Sequence, residues 1–196
     1  LTSGWANGVI SGNQTLTDQP IVFGQDTTAI TSWFTNFGNR DITALEALEY
    51  SSNTYMVQLA LKMMGMTYTP NMTVNLKNLD SSMEKLRATF AEYGLGTKTG
   101  IDLPTESQGY IPKDFTFANY LTNAFGQFDN YTPMQLAQYV GTIANNGVRI
   151  APHIVEGIYG NNEQGGLGDL IQSIDTKEMN KINISESDVS ILQQGF

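Results

Sequence analysis

The run Thr132-Pro133-Met134-Gln135 constrains this chain more than any other short segment. Proline at the first helical position gives up only an N–H that a helix start leaves unpaired, and its fixed φ suits the first turn. Thr132 and Gln135 have capping-box spacing, in which hydroxyl and amide side chains each satisfy the other's backbone. Met134, Ala137, Val140 and Ala144 then recur at helical spacing to about Asn145, and Asn146-Gly147 supplies the stop. A helix so well bounded demands partners for its apolar side, and the chain offers several. One is expected from about Thr43 to Tyr50, with Asp41 as N-cap and Ile42, Leu45 and Leu48 as its stripe. Another runs from about Thr54 to Met64, with Tyr55, Met56, Leu59, Ala60 and Met63 on one face and Gly65 at its end. A third is expected to open on a Ser81/Glu84 capping box, to align Leu86, Phe90 and Tyr93, and to close at Gly94.

The remainder is more irregular. A helix end falls near Leu1–Trp5, and a short helix is expected over about 187–194. Residues 148–150 and 154–159 read as short strands around Pro152, and Gly165-Gly166-Leu167-Gly168 as a loop. Residues 94–104 form a glycine-punctuated segment, and the first forty residues, rich in Gly, Thr, Asn and Gln, read as loops and short extended pieces. The reading is an α/β chain of the α+β kind, with helices outnumbering strands.

Composition removes several function classes. The net charge of −9, without any basic run, repels phosphate backbones, so nucleic acid is not an expected partner. There is no cysteine, and the single histidine, His153, has no second histidine or carboxylate cluster beside it, so no metal site is expected. His153 itself reads as a surface or packing residue. No P-loop, dinucleotide fingerprint or EF-hand loop occurs, so no cofactor is expected. No run of 18 apolar residues is present to span a membrane. Four Asn-x-Ser/Thr sequons, at Asn13, Asn71, Asn130 and Asn183, reflect an Asn- and Thr-rich composition.

Two triplets could carry chemistry. Ser51-Ser52-Asn53 lies between two amphipathic helices, where a hydroxyl can relay a proton and an amide can donate to a substrate carbonyl. Local reasoning alone favours a plainer role, since Ser and Asn are good N-caps. Lys98-Thr99-Gly100 matches a triplet of serine β-lactamases and penicillin-binding proteins, which need it on a strand. Here Ile-Asp-Leu-Pro follows, so a turn with Lys98 solvated is expected. The acidic pairs Glu46/Glu49 and Asp102/Glu106 read as solvated surface.

Taken together, the segments say more. Ala47-Leu48-Glu49-Tyr50-Ser51-Ser52-Asn53-Thr54-Tyr55-Met56 resembles the Ser-x-Asn region of class B penicillin-binding proteins. Tyr93-Gly94-Leu95-Gly96 with Thr99-Gly100-Ile101-Asp102-Leu103-Pro104 resembles a hallmark of that family. Asn123-Ala124-Phe125-Gly126-Gln127, Thr132-Pro133-Met134-Gln135-Leu136-Ala137 and Ile143-Ala144-Asn145-Asn146-Gly147 resemble the segments that follow it.

The resemblance implies a serine β-lactamase/D,D-transpeptidase-like fold. Residues 1–196 would be an internal fragment of the transpeptidase domain, mostly its helical subdomain, with the active-site sheet incomplete. The nucleophilic serine and its lysine would lie upstream of Leu1, the Lys-Thr/Ser-Gly strand beyond Phe196, and Lys98 would be a decoy. The implied chemistry is acyl transfer from D-Ala-D-Ala stem peptides of peptidoglycan, with β-lactams as mimics that trap the serine. Ser51 would shuttle a proton. Asn53 would bind the substrate carbonyl and orient the lysine, while Ser52 and Thr54 shape the cleft. No cofactor is implied. A membrane glycosyltransferase is the implied protein partner, and the extracellular face of the cell membrane the implied location, in wall synthesis for cell shape and division and in antibiotic resistance. A non-catalytic β-lactam-sensing module is the alternative. The isolated chain is expected to be marginally stable or unfolded, and unreactive toward penicillin.

Overall fold

The structure, a computed structural model, describes residues 1–24 and 28–196. Its helices are α1 (Thr2–Ala6), α2 (Ala44–Glu49), α3 (Asn53–Met63), α4 (Leu79–Glu92), α5 (Phe117–Asn123), α6 (Pro133–Ala144) and α7 (Glu186–Gly195). Its strands are β1 (Leu16–Asp18), β2 (Arg40–Ile42), β3 (Val148–Ile150), β4 (Gly157–Asn161), β5 (Leu167–Ser173) and β6 (Glu178–Lys181). They form three antiparallel pairs among the described residues, β1 with β2, β3 with β6 and β4 with β5. The result is a mixed α/β chain with a helical body.

Helix α3 is the axis of that body. Tyr55, Val57, Leu59, Ala60, Leu61 and Met63 are all buried, so it is enclosed on most of its circumference and not on a single stripe. On one side Val57 and Leu61 join Met83 and Leu86 of α4 and Tyr120 and Leu121 of α5, and the Tyr120 hydroxyl donates to the Ala60 carbonyl at 2.9 Å. On another, Tyr55 and Leu59 meet Ile10, Phe34, Ile42, Ala44 and Ala47. A smaller cluster of Tyr93, Ile143, Ile182 and Leu192 ties α4, α6 and α7 together.

Helix α6 forms as its sequence requires. The Thr132 amide donates to Gln135 Oε1 at 2.9 Å, and the Gln135 amide to Thr132 Oγ1 at 3.2 Å. Its glutamines also hold the irregular segment, because Gln135 Nε2 donates to the Thr97 carbonyl and Gln138 Nε2 to the Thr99 carbonyl.

Other boundaries differ from expectation for identifiable reasons. Thr43, not Asp41, caps α2 in a complete capping box with Glu46, because Asp41 is taken up in β2 opposite Thr17. Helix α4 starts before Ser81. Asn75 caps a 3₁₀ turn over Leu76–Asn78 that runs into it, leaving the Ser81 hydroxyl to donate back to the Asn78 carbonyl. Helix α5 carries a capping box of Thr116 with Asn119, an N3 residue outside the usual Glu/Gln pattern. The expected strand at 154–159 begins only at Gly157, since the Ile154 and Val155 amides donate to Asp102. Leu167 and Gly168, read as loop, open β5 instead.

Candidate active site

The Ser51-Ser52-Asn53 corner is built by one helix ending where the next begins. The Ser52 amide donates to the Ala47 carbonyl at 2.8 Å and the Ser51 amide to the Leu48 carbonyl at 3.0 Å, the paired bonds of a Schellman cap. That cap places Ser51 in the left-handed region, φ 54°, where glycine is usual. Ser52 then caps α3, its Oγ accepting from the Tyr55 amide at 3.1 Å. The N-cap role foreseen locally therefore falls to Ser52, and Ser51 is turned outward. The Ser51 side chain is exposed, and its hydroxyl makes no hydrogen bond to a described residue.

Asn53 occupies the first turn of α3, half-buried. Its Nδ2 donates to the Thr31 carbonyl at 3.1 Å. A carbonyl only accepts, so this contact fixes which end of the amide faces where, leaving one N–H and Oδ1 for other partners. The loop that carries Thr31 is tied to the corner a second time, by Trp33 Nε1 donating to the Tyr50 carbonyl at 2.7 Å. Ser52 and Thr54 point inward and are buried, both donating to the carboxylate of Asp18.

The corner opens onto a cleft of about 430 Å³. Ser51, Asn53 and Met56 line it together with Phe125, Tyr131 and Leu136. Burial pushes the phenol of Tyr139, another wall residue, up to about 12, and raises those of Tyr93 and Tyr131 as well. All three stay neutral near pH 7, so the cleft presents apolar walls with the Ser51 hydroxyl and Asn53 amide at one edge.

The other candidates lie apart from this cleft. None of Lys98, Thr99 and Gly100 lines it, Lys98 is exposed, and the triplet is not a strand. Its buried Thr99 is held by Glu106, whose Oε1 accepts from the Thr99 amide at 2.6 Å and the Thr99 hydroxyl at 2.5 Å. Glu106, half-buried, is thus a loop clamp, a correction to its reading as solvated surface. Asp102 is exposed as read, though its carboxylate accepts from the Ile154 and Val155 amides, and the half-buried Glu46 serves the α2 cap. Glu49 is exposed surface as well, with no backbone partner of this kind among the described residues. His153 is exposed, with Nδ1 2.9 Å from the Val155 carbonyl oxygen. Among the described residues no group of three His, Cys, Asp or Glu could hold a metal ion.

Sequence reasoning missed Asp18. Its only signal was isolation, as the sole charged residue among the first 24.

Comparison with known proteins bears on this arrangement. Residues 1–196 match the penicillin-binding protein transpeptidase domain. Penicillin-binding protein 2B of Streptococcus pneumoniae is 72% identical over 197 residues, which take in all of this chain and 29% of that protein. Penicillin-binding protein 2A of Bacillus subtilis is 37% identical over 196 residues, all of this chain and 27% of that protein. The chain therefore spans less than a third of these relatives. The solved structure of penicillin-binding protein 2B from Streptococcus pneumoniae strain R6 superposes with a TM-score of 0.95 at 72% identity, covering all of this chain and 32% of that one. Penicillin-binding protein PBP2 of Helicobacter pylori shares the fold at a TM-score of 0.65 and 22% identity, over 99% of this chain and 32% of that one. The ordered motifs, the architecture around the Ser-Ser-Asn corner and the match along the whole length agree that the chain belongs to the penicillin-binding protein transpeptidase domain family.

Proposed function

We propose that this chain is the middle of a serine D,D-transpeptidase domain, which cross-links peptidoglycan stem peptides through an acyl-serine intermediate. The observation that carries the proposal is the pairing of an outward Ser51 hydroxyl with an Asn53 amide anchored at one end, both at the rim of one apolar cleft.

The chemistry follows from those two groups. A serine outside residues 1–196, activated by its lysine, attacks the carbonyl of the penultimate D-Ala. A bond forms from serine oxygen to carbon, the peptide bond to the terminal D-Ala breaks, and the leaving nitrogen takes up a proton. Ser51 can pass that proton, because a hydroxyl donates and accepts at once. The unspent Asn53 N–H can hold the substrate's amide carbonyl, and Oδ1 can accept from the lysine ammonium. The amine of a second stem peptide then displaces the serine. A β-lactam enters the first half of the sequence and stalls there. Within the cell we place the domain on the extracellular face of the membrane, working beside a membrane glycosyltransferase. No helix of the described residues is long and apolar enough to cross a membrane.

The test is covalent labelling of the full-length protein with fluorescent penicillin. Wild type is expected to label, and Asn53→Ala to label about 10²–10³-fold more slowly. Undiminished labelling of that variant removes Asn53 from the mechanism. Labelling without cross-linking of stem peptides identifies a sensing module instead. Residues 1–196 alone are expected not to label, and a labelled fragment overturns the placing of the nucleophile outside them.

A further inference from the structure

We infer that Asp18 is the positioning residue of this site, a buried carboxylate that sets the aim of Asn53 by gripping both of its neighbours and the loop it leans on. The inference rests on the function proposed above.

Asp18 has no solvent exposure and ends β1 beneath the Ser-Ser-Asn corner. Four hydroxyls donate to it. Ser32, Ser52 and Thr54 reach Oδ2 at 2.6, 2.5 and 2.7 Å, and Thr35 reaches Oδ1 at 3.1 Å. Four hydroxyls facing one acid side chain suit a carboxylate, whose oxygens only accept. Among the described residues it has no ion-pair partner. Its charge is borne by hydroxyl dipoles and by the N-terminal end of α3, an eleven-residue helix that Ser52 caps.

The donors fall into two sets that meet at Asn53. Ser52 and Thr54 flank Asn53 in sequence. Ser32 and Thr35 belong to the loop whose Thr31 carbonyl accepts the Asn53 Nδ2 proton. Three of the donating hydroxyls also accept a backbone amide: Ser52 from Tyr55, Ser32 from Thr54 and Thr35 from Ser32. Each therefore transmits the carboxylate's position into the main chain on one side of the amide or the other. An uncompensated buried charge is costly wherever packing alone would do. Here it gives one point from which the start of α3, the Thr31 loop and β1 are all measured, and the Asn53 side chain lies where two of them meet.

The experiment is a double-mutant cycle on the full-length protein, read as the rate of acylation by fluorescent penicillin, with thermal unfolding as the control for folding. Asp18→Asn keeps shape and two polar atoms but removes the charge. It is expected to slow acylation about 10- to 100-fold, the usual penalty for a small misplacement at a reacting centre. In an Asn53→Ala background the same change is expected to cost no more than about twofold, because the group it aims is gone. Equal losses in both backgrounds overturn the assignment, and so does an Asp18→Asn variant that acylates at the wild-type rate. Should Asp18→Asn fail to fold, Ser32→Ala removes a single donor and is read by the same cycle against the same outcomes. A wild-type protein that is not acylated overturns the functional reading and the assignment with it. Acylated wild type with an additive cycle defeats the assignment alone.

Discussion

Arg87 and Asp129 meet as a two-pronged ion pair, Nε to Oδ2 at 2.9 Å and Nη2 to Oδ1 at 2.6 Å, with the carboxylate side chain fully buried. The pair joins α4 to the segment that follows α5, and Asn123 Nδ2 adds a further bond to Oδ2 at 2.9 Å. The guanidinium also lies 5.6 Å from the Phe115 ring centre. Removing one partner of such a pair leaves the other buried without compensation. Asp129→Ala is expected to destabilise the full-length protein by about 3–5 kcal/mol, and Asp129→Asn by less, as read from denaturant unfolding. A loss below about 1 kcal/mol in Asp129→Ala contradicts the burial and geometry described.

Ser51 adopts a backbone conformation that costs a β-carbon about 1 kcal/mol, and glycine nothing. Ser51→Gly is expected to raise the midpoint of thermal unfolding while depressing penicillin acylation, whereas Ser51→Ala depresses acylation with no gain in stability. If the glycine variant melts below wild type, the strain at Ser51 is not real.

Gly109 also has a positive φ, +80°, and there the obstacle is backbone. A β-carbon would sit 2.3 Å from the Asn130 carbonyl oxygen, inside the short antiparallel bridge that Tyr110 makes with Asn130. Gly109→Ala is expected to destabilise by more than about 2 kcal/mol. Gly126→Ala, with a similar φ but open space around it, isolates the conformational part and is expected to cost less. Equal losses for the two would show that the bridge yields.

Acid should loosen the loop around Thr99. Burial by itself would raise the Glu106 carboxyl. The Thr99 hydroxyl, the amides of Thr99 and Gly100 and the nearby Lys98 outweigh it and hold the group below its ordinary 4.5. A depressed folded value means a contribution complete above pH 4.5, where folded and unfolded chains are both ionised. It drains away as pH falls below 4.5 toward the folded value, because the unfolded chain takes its proton first. Asp102, held down by the Val155 and Ile154 amides, and Glu46, held down by the Thr43 amide and hydroxyl, have the same sign. Stability measured against pH is therefore expected to drop less steeply below 4.5 in Glu106→Gln than in wild type. Parallel curves would mean that the carboxylate contributes nothing.

What the sequence made legible follows from how local each signal was. The α6 capping box and the Gly65 stop involve residues a few positions apart, and both form as read. Ser51-Ser52-Asn53 was visible as a helix junction, and the resemblance gave Ser51 and Asn53 their roles, but local spacing did not show which serine caps α3. Which serine caps and which faces the cleft depends on the Schellman geometry of α2, set by bonds back to Ala47 and Leu48. Glu106 looked like surface because its partners, the Thr99 hydroxyl and amide and the Gly100 amide, are reached across a loop, which no local side-chain pattern announces. Asp18 was hidden for a related reason. Its three-residue strand is too short to show a period, and its donors lie 14 to 36 positions away, so only the folded chain brings them together.

The shared cap between α2 and α3 also bears on how this region can change over generations. Ser51 closes one helix and Ser52 opens the next, leaving no slack residue between them. Exchanging a side chain at the corner alters chemistry in place. Adding or deleting one residue would turn everything after it by about 100° around the α3 axis and carry Asn53 off the cleft. This stretch should therefore accept substitutions while remaining closed to changes in length, and variation among descendants of such a chain should appear here as altered letters in a fixed count.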